Sequence, residues 1–457
     1  MISKITQLQV LSFSVNKKSL MDNGTYLKKL FTVSIRAIIT LLVFVLSTLQ
    51  SDAQILPTTN MEPYIDFAVH NQGNIQAVVS NLGSIGGRNP RDIKDPFTGE
   101  FIKGLIYPRN SDIFYGRTEL WVGARVGNEY IVSSGAFFDG KEFYPDIYPF
   151  GEIALSSIDF NRPIFSSEAN AEMDITSVYF DTLTDLAYVP LDLHTLRPHS
   201  PLGIRVTERS MSWSGENIDD FILYNFEITN IGDKLLSDVY VGFLNTVVAL
   251  HELDDPVKRC QELVGYIKEF RDFSKCGPDS VNIAYWMDND GDPSGTEWTD
   301  RSPLSVLGLR VLGSPLDSLG LNFNWWTSKW IVDTTLNPFG NWGPRLQETP
   351  DDPFRKLGSG LGYPEGDANK YYIMSHKEFD YDQMFLAVSH FFDGWLHPPE
   401  YRNELASGGC SESVLSFGVG GLGPGATMTF TVALVGGDSV HVQPDRFRRP
   451  VEPRKPT

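Results

Sequence analysis

Cysteine is scarce, with three in 457 residues, too few for a disulfide-built scaffold. Cys260 and Cys276 bracket a segment that a bridge would close, stabilising by roughly 3 kcal/mol in the chain-entropy view. Three free thiols, or a pairing that involves Cys410, are the alternatives the spacing leaves open. Long apolar runs are also lacking. The most extended, Ala37–Leu49, falls short of the roughly 20 residues a membrane span requires, so no transmembrane segment is expected in the mature chain. Positive charge is in deficit, with 38 Lys and Arg against 57 Asp and Glu for a formal net charge of −19. That balance argues against nucleic acid as a partner, because phosphates need a basic surface. Catalytic signatures are missing as well. No Gly-x-Ser-x-Gly elbow occurs, and His390 and His397 are seven apart without the Glu a zincin requires. A glycosidase pair cannot be chosen among so many acids, since carboxyl separation is not written in sequence.

What is present begins with export. Lys28, Lys29 and Arg36 precede the apolar run, and Ser51-Asp52-Ala53 follows it, which together make a secretory signal peptide over residues 1–53. Met21 is an alternative start, with residues 1–20 then an upstream extension. The protein is therefore expected outside the cytoplasm, as an extracellular, cell-surface or periplasmic chain. Residues 1–53 carry six positive and two negative charges, so their removal takes the net charge to −23. Acidity of this kind keeps exported proteins soluble and identifies no partner.

With 40 Gly, 28 Pro and 12% aromatic residues, the chain reads as short strands joined by punctuated loops. Asn74–Leu82 is expected to form a strand ending at Gly83-Ser84-Ile85-Gly86-Gly87. Leu120–Val126 alternates, and Ile131–Ser133 follows Gly127-Asn128-Glu129 as a hairpin partner. The clearest pattern starts at Phe221. Ile222, Tyr224, Phe226 and Ile228 share one face, Asn230-Ile231-Gly232-Asp233 supplies a turn, and Val239, Val241 and Phe243 resume the alternation. Near the end Met428, Phe430, Val432 and Leu434 alternate with Thr427, Thr429 and Thr431, and Gly436-Gly437 ends the strand. Helix is expected in one stretch only, Pro256–Phe273, where Leu263, Val264, Ile267 and Phe270 recur at helical spacing. The expectation is an all-β protein of antiparallel β-sandwich domains with long loops and one short helical insertion. A boundary near Pro198–Pro201 divides an N-terminal β domain (54–198) from a β-sandwich domain (199–443). Residues 444–457 form a Pro/Arg-rich tail or linker.

Three motifs bear on chemistry. Gly418-Val419-Gly420-Gly421-Leu422-Gly423 has the spacing of a dinucleotide loop, but Pro424-Gly425 and a strand follow in place of the required helix. It reads as a glycine-rich loop between strands. Trp325, Trp326 and Trp330, with Trp342 nearby, offer a platform for sugar rings; packing into a sheet-to-sheet core is the reading favoured over it. Asp288-Asn289-Asp290-Gly291-Asp292 places Asp288, Asp290 and Asp292 at alternate positions, where their oxygens can converge on calcium. Val281, Ile283 and Tyr285 run as a strand into this loop. Pro293 and Thr299 depart from the EF-hand pattern, and a metal-free acidic turn is the competing reading.

Several of these segments, in this order, resemble a large family of uncharacterised exported bacterial proteins. They are Leu120-Trp121-Val122-Gly123-Ala124 before Val132-Ser133-Ser134-Gly135, Phe221–Asn230 leading to Asp238-Val239-Tyr240-Val241-Gly242, the Asp288–Pro293 loop, and Gly423-Pro424-Gly425. Members of that family often accompany type IX secretion sorting domains or Ig-like C-terminal domains. The resemblance covers most of residues 70–437 and implies a β-sandwich and export, but no activity. Relatives commonly carry acidic residues after the Tyr-Val-Gly strand; here Leu244-Asn245-Thr246 stands there, which argues against a metal role at that strand end. The chain also stops after a linker without a sorting domain, so release is as compatible as attachment. The expected function is a non-catalytic structural or binding component of the cell surface or secretome, with a surface glycan or protein as partner. The alternative is a carbohydrate-binding module or secreted polysaccharide-active enzyme using the Trp325–Trp342 region.

Overall fold

The computed structural model describes residues 62–87, 104–109, 111, 113–135, 141–192, 195–246, 249–251, 262–270, 279–288, 302–316, 320–327, 364, 366–375 and 411–438. In chain order the strands are β1 (Phe67–His70), β2 (Ala77–Ser80), β3 (Ser84–Gly86), β4 (Ile113–Phe114), β5 (Arg117–Val126), β6 (Glu129–Ser134), β7 (Ala154–Ser156), β8 (Met173–Phe180) and β9 (Ile204–Ser212). They continue as β10 (Phe221–Asn230), β11 (Leu236–Thr246), β12 (Leu250–His251), β13 (Glu262–Phe270), β14 (Asp279–Asp288), β15 (Val306–Gly313), β16 (Leu321–Thr327), β17 (Ser411–Leu422) and β18 (Thr427–Gly437). The helix α1 (Gly366–Ser375) lies between β16 and β17 in sequence.

Two antiparallel sheets carry the fold. The first runs β1-β2-β3-β5-β11-β17-β16, with β6 beside the far end of β5, and the second runs β13-β14-β15-β18-β10-β9-β8-β7. Alternation decides which side chains face inward. On β10, Ile222, Tyr224, Phe226 and Ile228 are buried; on β18, Met428, Phe430, Val432 and Leu434 are. Phe226 and Phe430 are direct cross-strand partners with rings stacked at 5.0 Å. From the first sheet Phe243 of β11 meets Phe226 at 5.6 Å, and Phe417 of β17 meets Phe430 at 5.4 Å. This aromatic quartet joins the two sheets, and each ring contributes roughly 1.5–3 kcal/mol by burial. Asn230 is fully buried at the β10–β11 turn, where its amide donates to the carbonyls of Lys234 (2.8 Å) and Leu422 (3.0 Å). The turn residues read from sequence therefore also tie this turn to the β17–β18 turn.

Strands from either side of Pro198–Pro201 share both sheets. β8 and β9 pair across that stretch, β5 lies beside β11, and all described residues fall within one compact unit, Glu62–Thr457. The helical expectation for Pro256–Phe273 is corrected: Glu262–Phe270 is the edge strand β13, paired with β14. Leu263 and Val264 are buried while Ile267 is exposed, because the free edge of a sheet offers hydrogen bonds that override local spacing. Helix forms instead at Gly366–Ser375. The glycines at 418–421 are corrected from loop to strand, since β17 continues to Leu422 and Gly418 packs against the Tyr240 ring. Pairing of β17 with β11 shifts register between Leu236 and Tyr240, a bulge that an irregular, glycine-rich partner accommodates. Among the described residues no helix is long and apolar enough to cross a membrane.

Candidate functional site

The first sheet has a second covered face. Outward-facing positions of β5 and β11 include Trp121 and Gly123, and Tyr240, Gly242 and Leu244, in register across the pair. Gly123 and Gly242 make a hollow, and Met374 of α1 fills it. A Cβ on Gly123 would fall 2.7 Å from Met374 Cε, and one on Gly242 would fall 2.7 Å from Met374 Sδ. The glycines of the Trp-Val-Gly and Tyr-Val-Gly triplets thus have a physical reason, the close approach of a helix. Trp121, Val132, Leu244, Tyr371, Ile373, Met374 and Val414 form a separate apolar cluster there. The sheet also caps the helix. Asn322 Nδ2 and Ser416 Oγ donate to the Met374 carbonyl (2.7 and 3.0 Å), and Asn324 Nδ2 donates to the Ile373 carbonyl (3.0 Å). These bonds satisfy helix-end acceptors that have no partner within the helix.

Beneath the N-terminal half of α1 lies a buried ionic network. Lys370, 2% exposed, donates from Nζ to Ser134 Oγ at 3.1 Å and lies 5.6 Å from the Trp121 ring centroid. Ser134 donates from both its backbone N–H and its hydroxyl to Glu142 Oε2, each at 2.8 Å. His199 stands on the other side of the same carboxylate, with Nδ1 3.1 Å from Glu142 Oε1 and Nε2 2.8 Å from the Asp181 carbonyl. Both neighbours of the imidazole are acceptors, so both ring nitrogens donate and His199 is an imidazolium. The Asp181 carboxylate in turn accepts from Ser133 Oγ and the N–H groups of Leu202 and Ile204, pinning the start of β9.

Electrostatics follow from burial and from Lys370. Burial raises Glu142, but Lys370, the His199 hydrogen bond and charge, and Ser134 outweigh it and hold the carboxyl below its ordinary value. Burial works against the charge on His199, yet Glu142 and Asp181 hold its pKa above the usual histidine value. Glu119 on β5 is pushed up to about 7 by burial, against the pull of Arg117 and Lys370. Asp367 rises to about 7 through burial and the charge of Glu142. Asp367 also pairs with Arg197, while its N–H donates to Asp192 Oδ2 at 2.9 Å. One ammonium thus interacts with four carboxylates, Glu119, Glu142, Asp192 and Asp367. A lysine, a serine, a glutamate and a histidine in contact are the ingredients of nucleophilic catalysis. Here the lysine is the donor, and the serine proton is directed at a carboxylate. Ser134, Glu142 and His199 are 2, 6 and 7% exposed. The arrangement fastens α1, β6 and the segment before β9 together.

The residues singled out from sequence lie elsewhere. Asp288 ends β14 on its buried face with Ala284 and Trp286, and its charge acts on buried Tyr115; Asp290 and Asp292 lie outside the described residues. Trp325 faces the inter-sheet core at 1% exposure, so its indole presents no face to a sugar, in keeping with the core reading. Trp326 follows it in the backbone of β16, while Trp330 and Trp342 lie outside the described residues, as do Cys260, Cys276 and Cys410 and the signal segment 1–53. Sequence reasoning missed Glu119, Ser134, Glu142, His199 and Lys370. One signal was present, a lysine opening the otherwise apolar run Tyr371-Tyr372-Ile373-Met374.

No protein-family model and no curated protein matches the chain. Among solved structures, a putative aldose 1-epimerase from Escherichia coli K12 is similar over 82% of this chain and 100% of its own, at 9% identity and a TM-score of 0.27. A likeness at that score carries no argument about chemistry.

Proposed function

We propose that the chain is an exported, non-catalytic β-sandwich protein that serves as a structural or binding component of the cell surface or secretome. One observation carries the non-catalytic part of this reading. Lys370, Ser134, Glu142 and His199, which would be the natural candidates for chemistry, are buried under α1 and engaged with one another. Groups committed in this way contribute to holding a shape rather than to turning over a substrate. Export rests on the basic, apolar and small-residue order of residues 28–53.

The test pairs activity with location. Expression in a secreting host is expected to deliver protein to the medium or the cell surface with a new N-terminus near Gln54; cytoplasmic retention of an uncleaved chain would overturn export. The purified protein is expected to be inert on a panel of polysaccharides and peptides. Hydrolysis that disappears on a single carboxylate substitution, in a variant that keeps its fold, would overturn the non-catalytic reading.

A further inference from the structure

A second set of buried polar groups lies inside the sandwich, and it differs from the first in having no cationic side chain among the described residues. Ser177 of β8 is directly opposite Glu208 of β9, and on the other side of β9, Phe226 of β10 is opposite Glu208 while Tyr224 is opposite Ser210. Ser177 and Glu208 are 1% exposed, and Tyr224 is fully buried. Tyr179 donates from its hydroxyl to Glu208 Oε2 at 2.9 Å. Among the described residues, Glu208 Oε1, Ser177 Oγ and the Tyr224 hydroxyl have no hydrogen-bond partner. A buried polar atom without a partner costs about 1–3 kcal/mol, and three on adjoining positions of one sheet face is a concentration that calls for a shared one. A buried water typically makes about three hydrogen bonds to groups of this kind.

Charge narrows what the site can take. The ionisable groups that act on Glu208 or feel it are the phenols of Tyr179 and Tyr224, and no cationic side chain among the described residues offsets its charge. His70 reaches the same region from β1 of the facing sheet, but its nitrogens are occupied by Ser210 (2.8 Å) and Ser212 (2.7 Å). Burial holds His70 neutral by lowering it to about 3. A carboxylate buried with no counter-charge binds a proton or a cation. Burial raises Glu208 to about 8, which favours the proton at neutral pH.

We propose that Ser177, Glu208 and Tyr224 form a closed internal site for one water molecule, with Glu208 taking part as the carboxylic acid and donating its proton to that water. The water passes hydrogen bonds on to the serine and tyrosine hydroxyls, and the three strands are joined through it.

A double-mutant cycle on the full chain tests this, using Ser177→Ala, Tyr224→Phe and the pair in urea denaturation. The two side chains do not bond to each other, so coupling between them reports the bridge. A coupling of at least about threefold in the unfolding equilibrium constant is expected, and additivity within about twofold would overturn the site. Should a variant fail to fold, a high-resolution crystal structure of the natural sequence decides it. One water peak at roughly 2.6–3.2 Å from all three oxygens supports the proposal; no peak, or a metal ion in its place, overturns it. Glu208→Gln tests the protonation state. The stability that the natural protein loses between about pH 5 and pH 8 is expected to shrink in this variant, whereas an unchanged profile would overturn the acid form.

Discussion

The polar groups under α1 and those between the sheets are equally buried but differently satisfied. Around Lys370 hydrogen bonds run unbroken from Lys370 through Ser134 and Glu142 to His199, with a positive charge on either side of the Glu142 carboxylate. Around Glu208, among the described residues, there is one internal hydrogen bond and three atoms without one. The difference teaches where each region draws its strength. The first depends on charges that must all be present, so removing one exposes the others to an environment that cannot solvate them. The second has no formal countercharge to lose, and its groups are nearly uncharged at neutral pH.

The comparison breaks most visibly at Lys370. Lys370→Met is expected to cost about 3–5 kcal/mol, because Glu119, Glu142 and Asp367 lose their shared cation. Urea denaturation measures it, and adding Glu142→Gln to Lys370→Met is expected to restore part of the loss. A double variant no more stable than the single one would show that the two charges are not coupled.

A smaller effect is expected at the hollow beneath α1. Gly242→Val places atoms where Met374 Sδ lies 2.7 Å from an added Cβ, and overpacking of this kind costs about 1–3 kcal/mol. Shortening the intruder with Met374→Ala should make Gly242→Val better tolerated, while the same Met374 change should not alter the effect of Ser177→Ala in the other region.

The pH response separates the regions by residue rather than by sign. His199 has a folded pKa above its unfolded value near 6.5. Its contribution is therefore complete below pH 6.5 and is lost as pH rises through the folded value. Glu208, raised from 4.5 to about 8, binds a proton in the folded state that the unfolded chain has released, so its contribution also falls with rising pH, between those values. Stability followed from pH 5 to pH 9 is expected to decline, with His199→Gln removing the part that begins above pH 6.5 and leaving the Glu208 part intact.

The smallest effect belongs to the helix cap. Asn322→Leu removes the donor to the Met374 carbonyl, where Ser416 still donates, and is expected to cost about 1 kcal/mol. Hydrogen exchange is expected to quicken in the last turn of α1 and not in β8–β10.

Much of the sandwich was legible in the chain because period-two alternation reports burial directly. The inner faces of β10 and β18, the Asn230–Asp233 turn and the strand leading to Asp288 all follow from spacing. Edges and covers were less legible. Leu263, Val264 and Ile267 fit a helix as well as an edge strand until β14 supplies hydrogen bonds. The ten residues of α1 have little amphipathic pattern, since seven of them are buried against sheet, ions and caps, and a short helix owes its stability to such packing rather than to propensity. The sites were hidden for a related reason. Ser134, Glu142, His199 and Lys370 span more than 200 positions, and a carboxyl on a strand face gives no sign in sequence of what stands opposite it.

By itself, then, the sequence determined the class of fold and the faces of its central strands. Only the tertiary structure decided that a helix approaches Gly123 and Gly242 closely, that Lys370 serves four carboxylates, and that Glu208 is enclosed between phenols with no cation among the described residues. Side-chain alternation is a local consequence of backbone geometry, whereas charge states are set by groups brought within a few ångströms from distant parts of the chain.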